Sequence, residues 1–179
     1  DSRIMEIFLD SKIPDNILSD LRAILKSITQ PIAVRSSSLL EDSHYQPFAG
    51  IYSTYMLPNN GIEIDKRLYD LCKAIKSVYA STYLKQSKDY MKATNNIVED
   101  EKMAVIIQEI TGSNFENKYY PNISGVARSL NFYPIGSEKA EEGIVNIAFG
   151  LGKTVVDGGV SLRFSPYHPK KVIQLSNPG

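Results

Sequence analysis

An arginine followed at once by three serines, Arg35-Ser36-Ser37-Ser38, is the stretch of this sequence best equipped for chemistry. It leaves an apolar run, Pro31-Ile32-Ala33-Val34, and is followed by Glu41-Asp42 and Pro47-Phe48-Ala49-Gly50. A guanidinium presents a planar fork of donors that matches phosphate oxygens. Serine hydroxyls and exposed main-chain N–H groups add donors at short range. The combination suits a phosphate-handling loop over residues 35–50, with Arg35 as its charged contact and Gly50 as its turn. Gln108-Glu109-Ile110 is the second candidate, a polar pair closing an apolar strand-like run. It reads either as an ordinary strand end or as a hinge whose backbone faces an adenine edge.

Other chemistries fit less well. Gly150-Leu151-Gly152-Lys153-Thr154 suggests a phosphate-binding P-loop, but the first glycine of that pattern would fall on Ile147. A glycine-rich connection between strands is the better reading. His44 and His168 are the two histidines, far apart in sequence, and no cysteine or acidic cluster completes a metal-ligand spacing around them. Ser36, His44 and Asp42 are crowded into one loop, and no nucleophile-elbow pattern surrounds the serines. Glu41-Asp42 reads as a turn or a cap, and no metal ligand is assigned. Cys72 is the single cysteine, so the chain cannot form an internal disulfide. Its place in a helical pattern makes it a small buried apolar residue.

The elements that must position these groups follow from periodicity. Residues 14–28 place Ile17, Leu18, Leu21, Ile24, Leu25 and Ile28 on one helical face, with Pro14 in the first turn. Short strands are expected at 32–36 and 51–57. A long helical region runs from about 63 to 92, and its other face, with Lys66, Arg67, Lys73, Lys76 and Lys85, reads as solvated. Met103 to Ile110 is nearly continuous in apolar residues, as in a strand buried on both faces. Further strands are expected at 123–131, 143–149, 160–164 and 172–175. The order predicts an α+β arrangement with two lobes, 1–100 and 101–179.

Composition sets limits. Lys plus Arg and Asp plus Glu both number 20, giving zero net charge, which argues against nucleic acid as a partner. At 42% hydrophobic and 22% charged, with no apolar run of spanning length, the sequence suggests a globular protein without a membrane segment, cytoplasmic by default.

In sequence order, Ala33-Val34-Arg35-Ser36-Ser37-Ser38-Leu39-Leu40-Glu41-Asp42, Pro47-Phe48-Ala49-Gly50, Ala74-Ile75-Lys76-Ser77-Val78-Tyr79, Met103-Ala104-Val105-Ile106-Ile107-Gln108, Ser124-Gly125-Val126-Ala127 and Gly150-Leu151-Gly152 together resemble the nucleotide-binding domain of the phosphoenolpyruvate synthase and pyruvate phosphate dikinase family. The resemblance implies an ATP-grasp fold, in which two α+β lobes clasp ATP. It implies that Arg35 contacts the phosphates, that the loop from Ser36 and Ser37 to Gly50 forms a lid, and that Gln108, Glu109 and Ile110 lie by the adenine. The serine content and few apolar anchors of residues 36–48 predict that they are mobile without nucleotide. The resemblance also implies a kinase-type phosphotransferase in which ATP phosphorylates a carrier histidine, which passes the group to pyruvate. The phosphohistidine and pyruvate-binding domains would belong to a longer parent chain, of which this is an inactive fragment. Magnesium would be held by an acidic segment outside this chain. Lys153 stands where the family has glutamate, Arg128-Ser129 where it has Phe-Thr, and Ser38 where it has alanine. Lys153 and Arg128, which change charge near the expected nucleotide cleft, motivate the alternative of a non-catalytic nucleotide-binding or regulatory module. Related dikinases and phosphotransferases with a different acceptor share the same domain.

Overall fold

The computed structural model describes residues 1–41, 50–94, 101–152, 155 and 159–172. The chain divides into two compact units, Asp1–Ile110 and Thr111–Gly179. The first contains α1 (Ser2–Asp10), α2 (Asp15–Ser27), β1 (Ile32–Ser38), β2 (Thr54–Leu57), α3 (Ile64–Ser81), α4 (Lys85–Ala93) and β3 (Met103–Glu109). The three strands form one antiparallel sheet in the order β2-β1-β3. β3, expected in the second lobe, pairs with β1 along its whole length and therefore belongs to the first unit. The expected helix over 63–92 is two helices, separated by Thr82-Tyr83-Leu84.

The core follows from the two periods. Every second residue of a strand meets the same layer, so Ile32 and Val34 of β1 pack with Leu21 and Leu25 of α2 and Leu68 and Leu71 of α3. Tyr55 and Leu57 from β2 and Val105 and Ile107 from β3 join that layer. Leu25, Val34, Leu71 and Val78 are wholly excluded from solvent, each contributing about 1.5–3 kcal/mol on burial. The sheet's other face is open. Thr54 and Met56, Arg35, and Ala104, Ile106 and Gln108 are all exposed there. β3 is thus not buried on both faces. Its apolar run has one covered side and one uncovered side, which an apolar run alone cannot distinguish.

The basic face of α3 is not simply solvated. A helix leaves its last carbonyls without intrahelical donors. Arg67 donates from Nη2 to the carbonyls of Leu25 (2.7 Å) and Ile28 (2.6 Å) at the end of α2. Its Nε donates to Asn59 Oδ1 at 2.8 Å. Asn59, buried and at φ 52°, donates in turn to Ile28 and Gln30 carbonyls. Lys76 Nζ does the same service for α1, donating to the Leu9 carbonyl at 2.9 Å. Two cations of α3 therefore close the C-terminal ends of two other helices, where cations are favoured.

The second unit begins with a small hairpin, β4 (Ser113–Phe115) and β5 (Lys118–Tyr120), in which Phe115 stacks on Tyr120. A three-stranded antiparallel sheet follows, β6 (Ile123–Arg128), β7 (Ile144–Phe149) and β8 (Leu162–Phe164), with a 3₁₀ turn at Ala140–Glu142 before β7. The strand expected at 172–175 lies almost entirely outside the described residues. Among the described residues no helix is long and apolar enough to cross a membrane.

Replacing Arg67 by Met removes three charge-assisted bonds and takes their arginine donor from the Leu25 carbonyl and Asn59 Oδ1, so chemical denaturation should show a loss of about 2–3 kcal/mol. Lys76→Met, which gives up one bond at a partly exposed helix end, should cost about 0.5–1 kcal/mol in the same assay.

Candidate functional site

The open sheet face collects the groups that the sequence marked. Arg35 lies between Thr54 of β2 and Ile106 of β3 in register. Ala33, one alternation earlier on the same face, lies between Met56 and Gln108. Arg35 and Gln108 are therefore diagonal neighbours, about 7–8 Å apart across the ladder. Among the described residues no carboxylate or carbonyl engages the Arg35 guanidinium, which stays exposed at the centre of the sheet. Ser37 shares this face, opposite Ala104. Met56 (65% exposed) and Ile106 (38% exposed) give it apolar ground on either side of Arg35.

Ser36 and Ser38 alternate to the other side and are buried. Their hydroxyls are committed to Glu41. Ser36 Oγ donates to Glu41 Oε1 at 2.9 Å, the Ser38 N–H donates to Oε2 at 3.1 Å, and the Glu41 N–H donates back to Ser38 Oγ at 3.1 Å. The Ser38-x-x-Glu41 pair has the reciprocal geometry of a capping box, in line with the cap reading of Glu41. Ser36 thus stands on the opposite side of the sheet from Arg35, whereas Ser37 stands beside it.

Tyr52, which leads into β2, is buried and donates its hydroxyl to Glu101, just before β3. Burial pushes its phenol well above the ordinary range. The hydrogen bond to Glu101 and that residue's negative charge raise it further, and a bond with Ser38 opposes the shift. Gly50 has φ 78° and open space where a Cβ would stand, so its requirement for glycine is conformational. Residues 42–49, including His44, Asp42 and the Pro47-Phe48-Ala49 part of the expected lid, lie outside the described residues.

β3 is an edge strand. In an antiparallel ladder alternate residues point both main-chain groups to the same neighbour. The Ile110 N–H donates to the Pro31 carbonyl at 2.8 Å, and the Leu39 N–H donates to the Lys102 carbonyl at 3.2 Å. These bonds set the phase: Lys102, Ala104, Ile106, Gln108 and Ile110 face β1. Glu109 and Ile107 turn their N–H and C=O toward the free edge. Of the expected hinge backbone, Glu109 presents its main chain outward, while the Ile110 N–H is bonded to Pro31.

In the second unit the Ser-Gly-Val and Gly-Leu-Gly stretches meet. Ser124 Oγ donates to the Gly150 carbonyl at 2.7 Å, and the Gly150 N–H donates to the Asn122 carbonyl at 3.0 Å. A Cβ at Gly125 would lie 2.7 Å from the Asn146 carbonyl oxygen, so only glycine lets β7 approach. Lys153-Thr154 and residues 156–158 lie outside the described residues. A polar knot unmarked by any sequence motif holds the segment between β6 and β7. Glu138 Oε2 accepts from Arg163 Nη2 (3.3 Å), Asn131 Nδ2 (2.9 Å) and the Ile135 N–H (3.1 Å). Burial raises the Glu138 carboxyl, but these donors and the arginine's charge outweigh it and hold the group below the usual carboxylate range. Glu142 accepts from Ser165 and lies 3.7 Å from His168 Nε2. Among the described residues no group of three or more His, Cys, Asp or Glu could hold a metal ion. Cys72 is half-buried against the first core, and burial pushes its thiol up, with Lys76 opposing.

Sequence reasoning did not mark Thr54, Met56 or Ile106. Their place on the Arg35 face depends on long-range register, which no local spacing encodes.

A helix-backed antiparallel sheet with one exposed face, followed by a β-rich unit, defines a mixed α+β protein. Residues 1–170 match the profile of the pyruvate phosphate dikinase, AMP/ATP-binding domain, and the chain belongs to that family. It is 28% identical over 150 residues to a protein of Bacillus subtilis (strain 168) named Uncharacterized phosphotransferase YvkC, covering 84% of this chain. It is 27% identical over 138 residues to the Phosphoenolpyruvate synthase of Aeropyrum pernix, covering 76% of this chain. The matched regions span only 16% and 15% of those two proteins.

Two pH effects follow. Tyr52 has a raised pKa, so its contribution is complete below the unfolded value of about 10 and is lost as pH rises through the folded one. Alkaline denaturation of wild type should therefore steepen above about pH 10, and Tyr52→Phe should remove that steepening when unfolding is followed by circular dichroism. Glu138 has a lowered pKa, so its contribution is present above the unfolded carboxylate value and is lost as pH falls through the folded one. Glu138→Gln should lower stability near neutrality and flatten its acid dependence, measured by urea unfolding across that range.

Proposed function

We propose that this chain is an ATP-binding domain of the ATP-grasp type, and that the open face of the β2-β1-β3 sheet receives the nucleotide. The observation that carries this reading is the exposed Arg35 at the centre of that face, uncommitted among the described residues, with Ser37 beside it and Gln108 diagonal to it. Membership of a family of AMP/ATP-binding domains supports it. Arg35 takes phosphate oxygens, and Ser37 and Thr54 add hydroxyl donors. Ser36 acts from the far side of the strand through Glu41. Gln108 lies toward the base, and the outward N–H and C=O of Glu109 read its edge. Gly50, at φ 78°, turns the chain toward Tyr52 and β2.

Phosphoryl transfer depends chiefly on positioning and on neutralising charge that spreads over the transferred group. Arg35 supplies part of that charge here. Magnesium would supply the rest when bound with the nucleotide, through ligands outside the described residues. The parent reaction we assign is phosphorylation of a carrier histidine by ATP, followed by transfer to pyruvate, on further domains of a longer chain. The phosphoenolpyruvate synthase relative supports that assignment.

Calorimetric titration with magnesium-ATP tests the reading. Arg35→Ala should weaken binding about tenfold to a hundredfold, the range expected for a lost charge-assisted bond. The melting temperature of the ligand-free protein should move by no more than about 1–2 °C, since the side chain is exposed. Unchanged affinity, or a large loss of melting temperature, would contradict it.

A further inference from the structure

We infer that Glu41 is a positioning residue for Arg35: by binding Ser36 and Ser38 on the helix-backed side of β1, it holds Arg35 and Ser37 on the open side. The inference rests on the nucleotide reading for its consequence, and on the hydrogen bonds of β1 for its mechanism.

The inward positions of β1 are Ile32, Val34, Ser36 and Ser38. The first two sit in the apolar core, where burial alone fixes their direction. The last two are serines buried to the same degree, and buried hydroxyls need partners. They occur where β1 loses support on one side. The β1–β2 ladder ends at Arg35 and Thr54, while the β1–β3 ladder continues to Ser38 and Met103. The Ile110–Pro31 and Leu39–Lys102 bonds put the odd-numbered residues of β1 in phase with β3. The Ser38 N–H therefore points to the side where β2 has stopped.

Glu41 fills that place. One carboxylate oxygen accepts the Ser38 N–H and the other accepts the Ser36 hydroxyl, so a single side chain replaces the absent strand. The Glu41 N–H returns a bond to Ser38 Oγ. Ser38 also bonds with Tyr52, and Tyr52 donates to Glu101 at the foot of β3. The end of β1, the approach to β2 and the approach to β3 thus share one polar chain. Its effect on the site comes from the two-residue repeat: with 36 and 38 held inward, 35 and 37 must point outward. A slip of one residue would exchange the faces and turn the guanidinium toward the core.

The test combines amide hydrogen exchange with magnesium-ATP titration, in wild-type and Arg35→Ala backgrounds. Glu41→Ala should lower protection at the Ser38 amide by about tenfold or more, with far-ultraviolet circular dichroism unchanged. It should also weaken magnesium-ATP binding by about fivefold or more, and that loss should vanish when Arg35 is already Ala, as coupling through one residue requires. Glu41→Gln keeps an acceptor oxygen and should give an intermediate result, which serves as the readout if Glu41→Ala does not fold. Wild-type protection at Ser38 in Glu41→Ala would overturn the inference. So would an affinity loss of equal size in both backgrounds, which would mean that Glu41 acts on the ligand directly or on the fold at large. If Arg35→Ala leaves affinity unchanged, the nucleotide reading fails, while lost Ser38 protection in Glu41→Ala still establishes the hold on β1.

Discussion

The two-residue repeat of β1 is the constraint on which the first unit depends. The central strand of a three-stranded sheet has neighbours on both edges and a helical layer on one face, so its seven residues sort into two sets. One set, Ile32, Val34, Ser36 and Ser38, faces inward, and its first two residues close the apolar core. The other, Ala33, Arg35 and Ser37, faces outward. The strand changes chemistry at its midpoint. Before Arg35 the inward residues are apolar and packing holds them. After it they are serines and hydrogen bonds hold them. Arg35 stands at that change, with packing holding the strand on one side of it and hydrogen bonds on the other.

The same economy appears in α3. Its apolar face supplies Leu68, Leu71, Ala74 and Val78 to the core. Two of its basic residues reach past that core to the carbonyl ends of α1 and α2. α2 and α3 are therefore bound by burial at their middles and by charge at the end of α2, while charge closes the end of α1. The layer behind the sheet is correspondingly fixed, and β1 rests on it. The second unit uses other means for a similar end: a glycine at 125 permits close strand approach, and one carboxylate, Glu138, gathers an arginine, an amide and a main-chain donor.

Much of this was legible because it is local. The periodicity of residues 14–28 gave α2, and alternation with flanking turn residues gave β1, β2 and β7. Glu41-Asp42 read as a turn or a cap, and Glu41 makes a reciprocal pair with Ser38, a partner that reading did not name. What escaped was non-local. α1 carries Ile4 and Phe8 at helical spacing, too short a signal to assign an element. The break between α3 and α4 at Thr82-Tyr83-Leu84 has no proline or glycine to announce it. Arg67 and Lys76 looked like solvated charges because their partners lie 42 and 67 residues away. The open face of β3 was hidden for the same reason. Ile106 is as apolar as Ile107, and only pairing with β1 reveals which of them faces the helices. Arg35 and Gln108 were each marked by sequence, but their being neighbours was not.

The central claim is that the open face of the β2-β1-β3 sheet is where nucleotide binds. Amide chemical-shift mapping by nuclear magnetic resonance, with magnesium-ATP added stepwise, addresses it most directly. The account predicts the largest shifts at Arg35, Ser37, Thr54 and Ile106 to Glu109, with the helix-backed core residues Leu25 and Leu71 nearly unmoved. Saturable binding whose shifts avoid β1 and β3 altogether would contradict it.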